Sequence, residues 1–432
     1  GTVWTWGKNT EGQLGQGGRT SDRNIIPTQV TFSGLASNAY ITKIAVGKAH
    51  VVALDSDGNI WTWGDNTYGQ LGVDKTTTYS TKPVKAGVFD GINYLKNIEI
   101  ADIFAGEYSS FIVTEGTSNI TIAKKNDGSR VTVPLGINRN TFAFGNAAID
   151  IDTGEYTGDG YGAKPTQMSI VKKVSKISGG YVLKTSGTVW ELPTDPTSPE
   201  FKIFKGENNS VNNIVDISSK SADDHTLALN AEGYVLAWGA GSYGQLGNGQ
   251  YGGNEIENNG YDSDVVYATE ISVDTDGNDF SNIIKIAAGI SHVLALKNDG
   301  SLYVWGTNSD SLLVSTSTED VLPLPSKMEL SVDGQVLDVA AGGGTNSSGS
   351  SGDEGKQQLR FHSMILTNTG SVYVWGHNEE NTLGKDNNNN SGEIEKLESL
   401  KNVISINAAR YNSSAITSDG KVYAWGRNDE GQ

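Results

Sequence analysis

Five histidines are the first side chains to weigh, because imidazole serves acid–base catalysis and metal binding near neutral pH. Four of them, His50, His225, His292 and His362, hold the same position in a recurring segment, a few residues ahead of a leucine. A residue that recurs in every unit is placed by the fold, so these four read as buried structural groups on separate units. His377 follows a Trp-Gly pair in a loop and has no evident partner in the sequence. A nucleophile triad needs Ser, His and Asp to converge. Asp223-Asp224-His225 puts an acid beside a histidine, but adjacent strand residues point to opposite faces. There is no Gly-x-Ser-x-Gly elbow between a strand and a helix. No catalytic residue is assigned, and the chain is read as a non-enzyme.

Two Gly-x-Gly-x-x-Gly matches occur, at Gly239, Gly241, Gly244 and at Gly247, Gly249, Gly252. A dinucleotide fingerprint works by opening a helix whose N-terminus holds pyrophosphate. No helical pattern follows either match, so both are turn glycines. Calcium is the one cofactor the sequence invites, since it favours clustered oxygen ligands. The segment VDTDGND at 273–279 offers Asp274, Asp276 and Asn278, with Asp279 beside them. A second acidic loop carries Asp150, Asp152 and Glu155. Neither has the glycine at the sixth position of an EF-hand loop, and Lys285 stands where the closing Glu belongs; the competing reading is a solvated acidic turn. No other cofactor or metal is implied.

Composition closes several further classes. The 432 residues include 50 acidic and 32 basic side chains, a net charge of −18, and no cysteine. Such a negative field repels phosphate backbones, so nucleic acid is not an expected partner. Without cysteine there is no disulfide framework, thiolate nucleophile or Cys-ligated metal. No run reaches the roughly 18 apolar residues of a membrane-spanning helix. Glycine is abundant at 54 residues, which points to many turns and short strands.

The elements that must position any site come from internal repetition. VWTWGKNTEGQLGQG at 3–17 recurs as IWTWGDNTYGQLGVD at 60–74 and VLAWGAGSYGQLGNG at 235–249, with weaker copies at 302–315, 372–386 and 422–432. A second module, such as AGISHVLALKNDG at 288–300, precedes each later copy. Alternating apolar residues joined through Asp-Gly, Glu-Gly or Thr-Gly describe a β-hairpin. A short strand before it and an extended, often proline-bearing piece make about four strands per unit, the makeup of a propeller blade. Seven turn glycines, from Gly58 to Gly420, give seven units. An extra hairpin is expected at about 116–140, and long loops at 248–264 and 343–358.

The pattern WGxNxxGQLG followed by GxxHxxxLxxDG resembles the regulator of chromosome condensation repeat, also found in the alpha-tubulin suppressor group. Trp6, Gly7, Asn9, Gly12, Gln13, Leu14 and Gly15 fit it, as do Trp63, Gly64, Asn66, Gly69, Gln70, Leu71 and Gly72. The resemblance implies an all-β, seven-bladed β-propeller of four-stranded blades, a single domain over 1–432. The family's eponymous member exchanges nucleotide on a small GTPase and binds chromatin; this sequence has no basic tail for the latter. Acidic, cysteine-free composition with ragged loops resembles microbial extracellular or cell-surface relatives, some of which cap an enzyme with one face.

The repeated tryptophans read as packing between blades. Tyrosines outside the repeat are the candidates for a partner surface: Tyr251, Tyr261 and Tyr267 after the fifth Trp-Gly strand, and Tyr156 and Tyr161 after the third. The chain starts and stops inside motifs, with eight Trp-Gly strands against seven of the strand before it. It is expected to be a window of a longer protein, or to place the spare N-terminal strand outside the ring. Alternatively, that strand pairs with another copy in self-association. The function expected is a non-enzymatic binding or structural module; a one-face inhibitor or receptor, and an exchange-factor-like GTPase regulator, are the alternatives.

Overall fold

In the computed structural model of the chain, β1 (Trp4–Asn9) and β2 (Thr20–Gln29) form an antiparallel ribbon. A full repeat then follows as β3 (Ile41–Val46), β4 (His50–Asp55), β5 (Ile60–Asp65) and β6 (Tyr79–Lys85), one sheet in that order. The structure describes residues 1–73, 77–89, 92–93, 95, 99–106, 109–115, 119–124, 130–134, 140–145, 162–172, 174–178, 181–191, 203–205, 209–219, 225–251, 266–346, 358–385 and 387–428. The sheet forms because each motif residue has a local role. Asp55 ends β4 and accepts the Asp57 and Asn59 amides at 3.0 and 2.8 Å, folding the Asp-Gly turn, while its other oxygen takes Trp61 Nε1 at 2.8 Å.

The Trp-Gly pair and the loop after it are equally determined. Gly64 sits opposite His50 with φ 99°, and a Cβ there would lie 2.3 Å from the Ala49 carbonyl, so only glycine fits. Asn66 then organises the turn: its Oδ1 accepts the Leu71 amide at 2.9 Å and its Nδ2 donates to the Thr77 carbonyl at 2.6 Å. Asn308 and Asn378 do the same for Leu313 and Leu383. The leucine is thereby driven inward as a plug; Leu71, Leu313 and Leu383 are fully buried. Asn308→Ala is expected to cost about 1–3 kcal/mol, the cost of stranding buried backbone groups, measured by urea denaturation.

Three of the repeat tryptophans reach back to the preceding repeat. Trp63, Trp305 and Trp425 donate Nε1 to the Gln13, Gln245 and Thr382 carbonyls at 2.8–2.9 Å. The last glycine of GQLG lies under that ring: a Cβ on Gly15 or Gly247 would meet Trp63 or Trp305 Nε1 at 2.8–2.9 Å. Blade-to-blade spacing is thus written into two motif residues. Trp63, Trp238, Trp305 and Trp375 are at most 2% exposed, while Trp4 is 51% exposed and Trp6 and Trp425 are half-buried. Those three stand in incomplete sheets, the ribbon and a three-stranded blade, which corrects the uniform packing expected of them.

The chain is all-β, and its seven blades are those of a β-propeller. It falls into two compact units. One is residues 1–175 with 192–200 and 429–432; it holds the ribbon, the blade β3–β6 and a second blade of Glu99–Ala105, Ser109–Glu115, Asn140–Gly145 and Gly162–Lys172. Its core gathers Val52, Ile60, Ile103 and Ile112, and separately Val3, Val30, Trp61 and Trp63. Between the second blade's middle strands, Asn119–Lys124 pairs with Arg130–Pro134 as a hairpin of its own. The other unit, residues 176–191 and 201–428, holds the third to seventh blades, the boundary cutting the third blade's first strand. One continuous core runs from Leu227 to Trp375. Among the described residues the third and seventh blades have three strands.

Two expectations change. Residues 4 and 5 pair with Gln29 and Thr28 of the same chain, so one edge of the N-terminal strand is paired within its own chain. The stretch 343–358 is strand at its ends: Val336–Asn346 and Gln358–Thr367 pair as far as Asn346↔Gln358. This lengthened hairpin of the sixth blade carries the site described next.

Candidate protein-binding cleft

The lengthened hairpin sets Arg360 opposite Gly344 and beside a small, shallow cleft between the sixth and seventh blades. Phe361, His362, His377, Glu379, Glu380, Thr382, Arg410 and Tyr411 line it with Arg360. Arg360 is largely buried and ion-paired with Glu379. The Arg410 and Arg427 guanidiniums each lie 5.3 Å from the centre of the Tyr411 ring, within cation–π range. Gly344 lets these side chains lie against the strand, since a Cβ there would meet Arg410 and Tyr411 at 2.6–2.7 Å and shift them. Three of the chain's seven arginines therefore gather at one spot on an acidic protein.

His377 lies beneath them. It is 8% exposed, its ring set edge-on to Phe361 at 4.9 Å, and its Nδ1 lies 3.2 Å from the Phe361 amide nitrogen. Burial, helped by the Arg360 charge, brings its pKa down to about 4 against the Phe361 carbonyl, which lies 3.3 Å from Nδ1 and favours the cation. The imidazole is thus neutral at pH 7. Thr382 donates its hydroxyl to the His377 carbonyl at 2.5 Å, so the one hydroxyl beside the imidazole is spent on the backbone. The lining contains no activated nucleophile; it offers guanidinium and aromatic surface, with the Glu379 carboxylate committed to Arg360 and Glu380 beside it.

Sequence reasoning missed this cleft and left His377 without a partner; the structure gives it Phe361. A signal was present. Arg360-Phe361 and Arg410-Tyr411 stand where two other blades have Lys48-Ala49 and Ile290-Ser291, so both aromatics are departures from the repeat. Of the tyrosines proposed instead, Tyr251 is 54% exposed in the loop after the fourth blade's third strand. Tyr156, Tyr161 and Tyr261 lie outside the described residues, as does the Tyr267 side chain. The four repeat histidines are at most 1% exposed and sit one to a blade; His292 Nε2 is 3.0 Å from Ser363 Oγ of the next blade.

The acidic turn at 273–279 is not simply solvated. Asp274 is 3% exposed and its Oδ1 accepts the Asp276 and Asn278 amides at 3.0 and 2.8 Å, the same role Asp55 performs. Burial pushes its pKa up, and these bonds outweigh that and hold it below the usual range. Among the described residues no group of three His, Asp or Glu could hold a metal ion; Asp150, Asp152 and Glu155 lie outside them. Asp274→Ala is expected to lower stability by about 1–3 kcal/mol, while calcium or chelator leaves the melting temperature unchanged, as thermal unfolding would show.

Profiles described as the regulator of chromosome condensation (RCC1) repeat match residues 1–54 and 57–113, and 41–70, 214–245, 283–311, 360–381 and 403–432. The chain belongs to the RCC1 repeat family. It is 31% identical over 391 residues to the human E3 ubiquitin-protein ligase HERC2, covering 90% of this chain but 6% of that protein. To the X-linked retinitis pigmentosa GTPase regulator homolog of Caenorhabditis elegans it is 24% identical over 310 residues, 71% of this chain and 18% of the relative. To the guanine nucleotide exchange factor SRM1 of Saccharomyces cerevisiae it is 24% identical over 395 residues, 89% of this chain and 67% of the relative. The first two relatives are therefore far longer than the matched segment. A crystal structure of yeast RCC1 (Prp20) bound to Kap60 aligns with all of this chain and 79% of its own, at TM-score 0.55 and 20% identity. Human WBSCR16 aligns with all of this chain and 90% of its own, at TM-score 0.52 and 18% identity. These two likenesses concern the fold. No helix among the described residues is long and apolar enough to cross a membrane.

Proposed function

We propose that this RCC1-type propeller is a non-enzymatic protein-binding module that takes an acidic segment of its partner at the cleft between the sixth and seventh blades. The observation that carries this is the convergence of Arg360, Arg410 and Arg427 around Tyr411. Planar guanidiniums beside an aromatic suit bidentate contact with carboxylates and are enriched at interface hot spots. Elsewhere the net charge of −18 repels an acidic partner, so its approach is focused on this spot. Placement at a microbial surface is supported only by the cysteine-free, acidic composition and belongs to the same proposal.

Cross-linking mass spectrometry with the intact chain in source-cell extract tests the reading. Partner peptides attached around 360–382 and 410–427 are expected; attachment scattered over all blades would defeat it. A second reading, regulation of a small GTPase, is favoured by the similarity to the SRM1 exchange factor along 89% of this chain. It requires accelerated release of labelled GDP from a GTPase panel, and an unchanged release rate removes it.

A further inference from the structure

The innermost strand of six of the seven blades carries a charge at one fixed position. In chain order these residues are Lys43, Asp102, Lys176, Asp216, Lys285 and Asp338, with Ser405 in the seventh blade. Each is followed by Ile or Val, and in the first, second and fourth to seventh blades each stands just past a register shift in its pairing with the next strand. Such bulges re-aim a side chain. Three bridges result, each from a lysine to the aspartate of the following blade: Lys43–Asp102 at 2.8 Å, Lys176–Asp216 at 2.6 Å and Lys285–Asp338 at 3.0 Å. Each aspartate is also fixed by its own strand, since the Ile103, Ile217 and Val339 amides donate to the same Oδ1 at 2.9–3.0 Å. One geometry is built three times, with alternating sign.

We infer that this alternation is a charge code that specifies which blade docks on which. The core supplies little of that information, because the same tryptophan-to-loop contact recurs at Trp63, Trp305 and Trp425 and the same buried leucine plug at Leu71, Leu313 and Leu383. Chains of near-identical repeats characteristically fail by mis-docking or exchange between copies. A slip of one blade sets lysine against lysine and aspartate against aspartate, and such repulsion raises the free energy of the wrong arrangement. Half-exposed pairs of this kind add little to the stability of the right one. Seven positions cannot all be paired, and the one left over is the neutral Ser405.

The test is refolding of the full chain from urea, with monomer yield read by size-exclusion chromatography. One variant neutralises all six positions (Lys43, Lys176 and Lys285→Gln; Asp102, Asp216 and Asp338→Asn), and Asn keeps an acceptor for the strand amide. A second exchanges the signs at all six. The neutral variant is expected to yield at least twofold less monomer than the unmodified chain, the remainder appearing as soluble oligomers; the exchanged variant recovers the yield. Equal yield from the neutral variant overturns the code, and so does an exchanged variant that stays at the neutral variant's yield.

Discussion

Trp305→Ala is expected to destabilise the unit of residues 176–191 and 201–428 by about 3–5 kcal/mol, the range for deleting a large buried aromatic. Trp305 is fully buried, and its ring meets Phe280 edge-on at 5.7 Å. Its Nε1 satisfies the Gln245 carbonyl at 2.9 Å, and Gly247 is close enough that no larger residue could take up the slack. The loss therefore combines a cavity with an orphaned carbonyl in the loop of the previous blade. Trp4→Ala is the control: that ring is 51% exposed and its removal is expected to change stability by about 0.5 kcal/mol or less. Urea titration of both variants, compared by midpoint and slope, measures the difference. Equal losses at the two tryptophans would mean that the repeat position, and not its burial, sets the cost.

Acid sensitivity is the second large effect. His377 has a folded pKa of about 4 against an ordinary 6.5. Above pH 6.5 the imidazole is neutral folded or unfolded, and the group makes no difference to stability. Below it the unfolded chain takes up the proton and the folded chain does not, so stability falls as pH falls. The loss is complete near pH 4, where the folded form protonates too, and amounts to about 3 kcal/mol. His377→Gln stays neutral throughout and can still accept the Phe361 amide. Stability of the unmodified chain is expected to drop between pH 7 and pH 4.5 by about 2–3 kcal/mol more than that of the variant. Parallel curves for the two proteins would show that the imidazole protonates freely in the folded state.

The blades were legible because each motif residue does one local thing and most do it again in other repeats. Asp55 folds a turn, Asn66 shapes a loop, Gly64 admits a carbonyl and Trp63 sets the spacing. Periodicity reports such roles directly. The cleft was not legible in the same way, because Arg360, His377, Arg410 and Arg427 come from two blades and are joined only by the lengthened hairpin ending at Asn346 and Gln358. That hairpin reads as loop, since GGGTN lacks the apolar alternation of a strand. The acidic turn at 273–279 misleads for the opposite reason: Asp274 has the look of a ligand, yet its oxygens are occupied by the turn's own amides. Tyr251 was found by looking for aromatics outside the repeat, and the same rule applied to Phe361 and Tyr411 would have led to the arginines beside them.

Binding of a partner's acidic segment across Arg410, Arg427 and Tyr411 is open to direct measurement. The quantity is the affinity of the cross-linked partner for the unmodified chain and for Arg410→Glu/Arg427→Glu, at two salt concentrations, with unfolding curves confirming that both are folded. At least a tenfold weaker complex is expected for the double variant, with a reduced dependence on salt. Equal affinity in a folded double variant would contradict binding at this cleft.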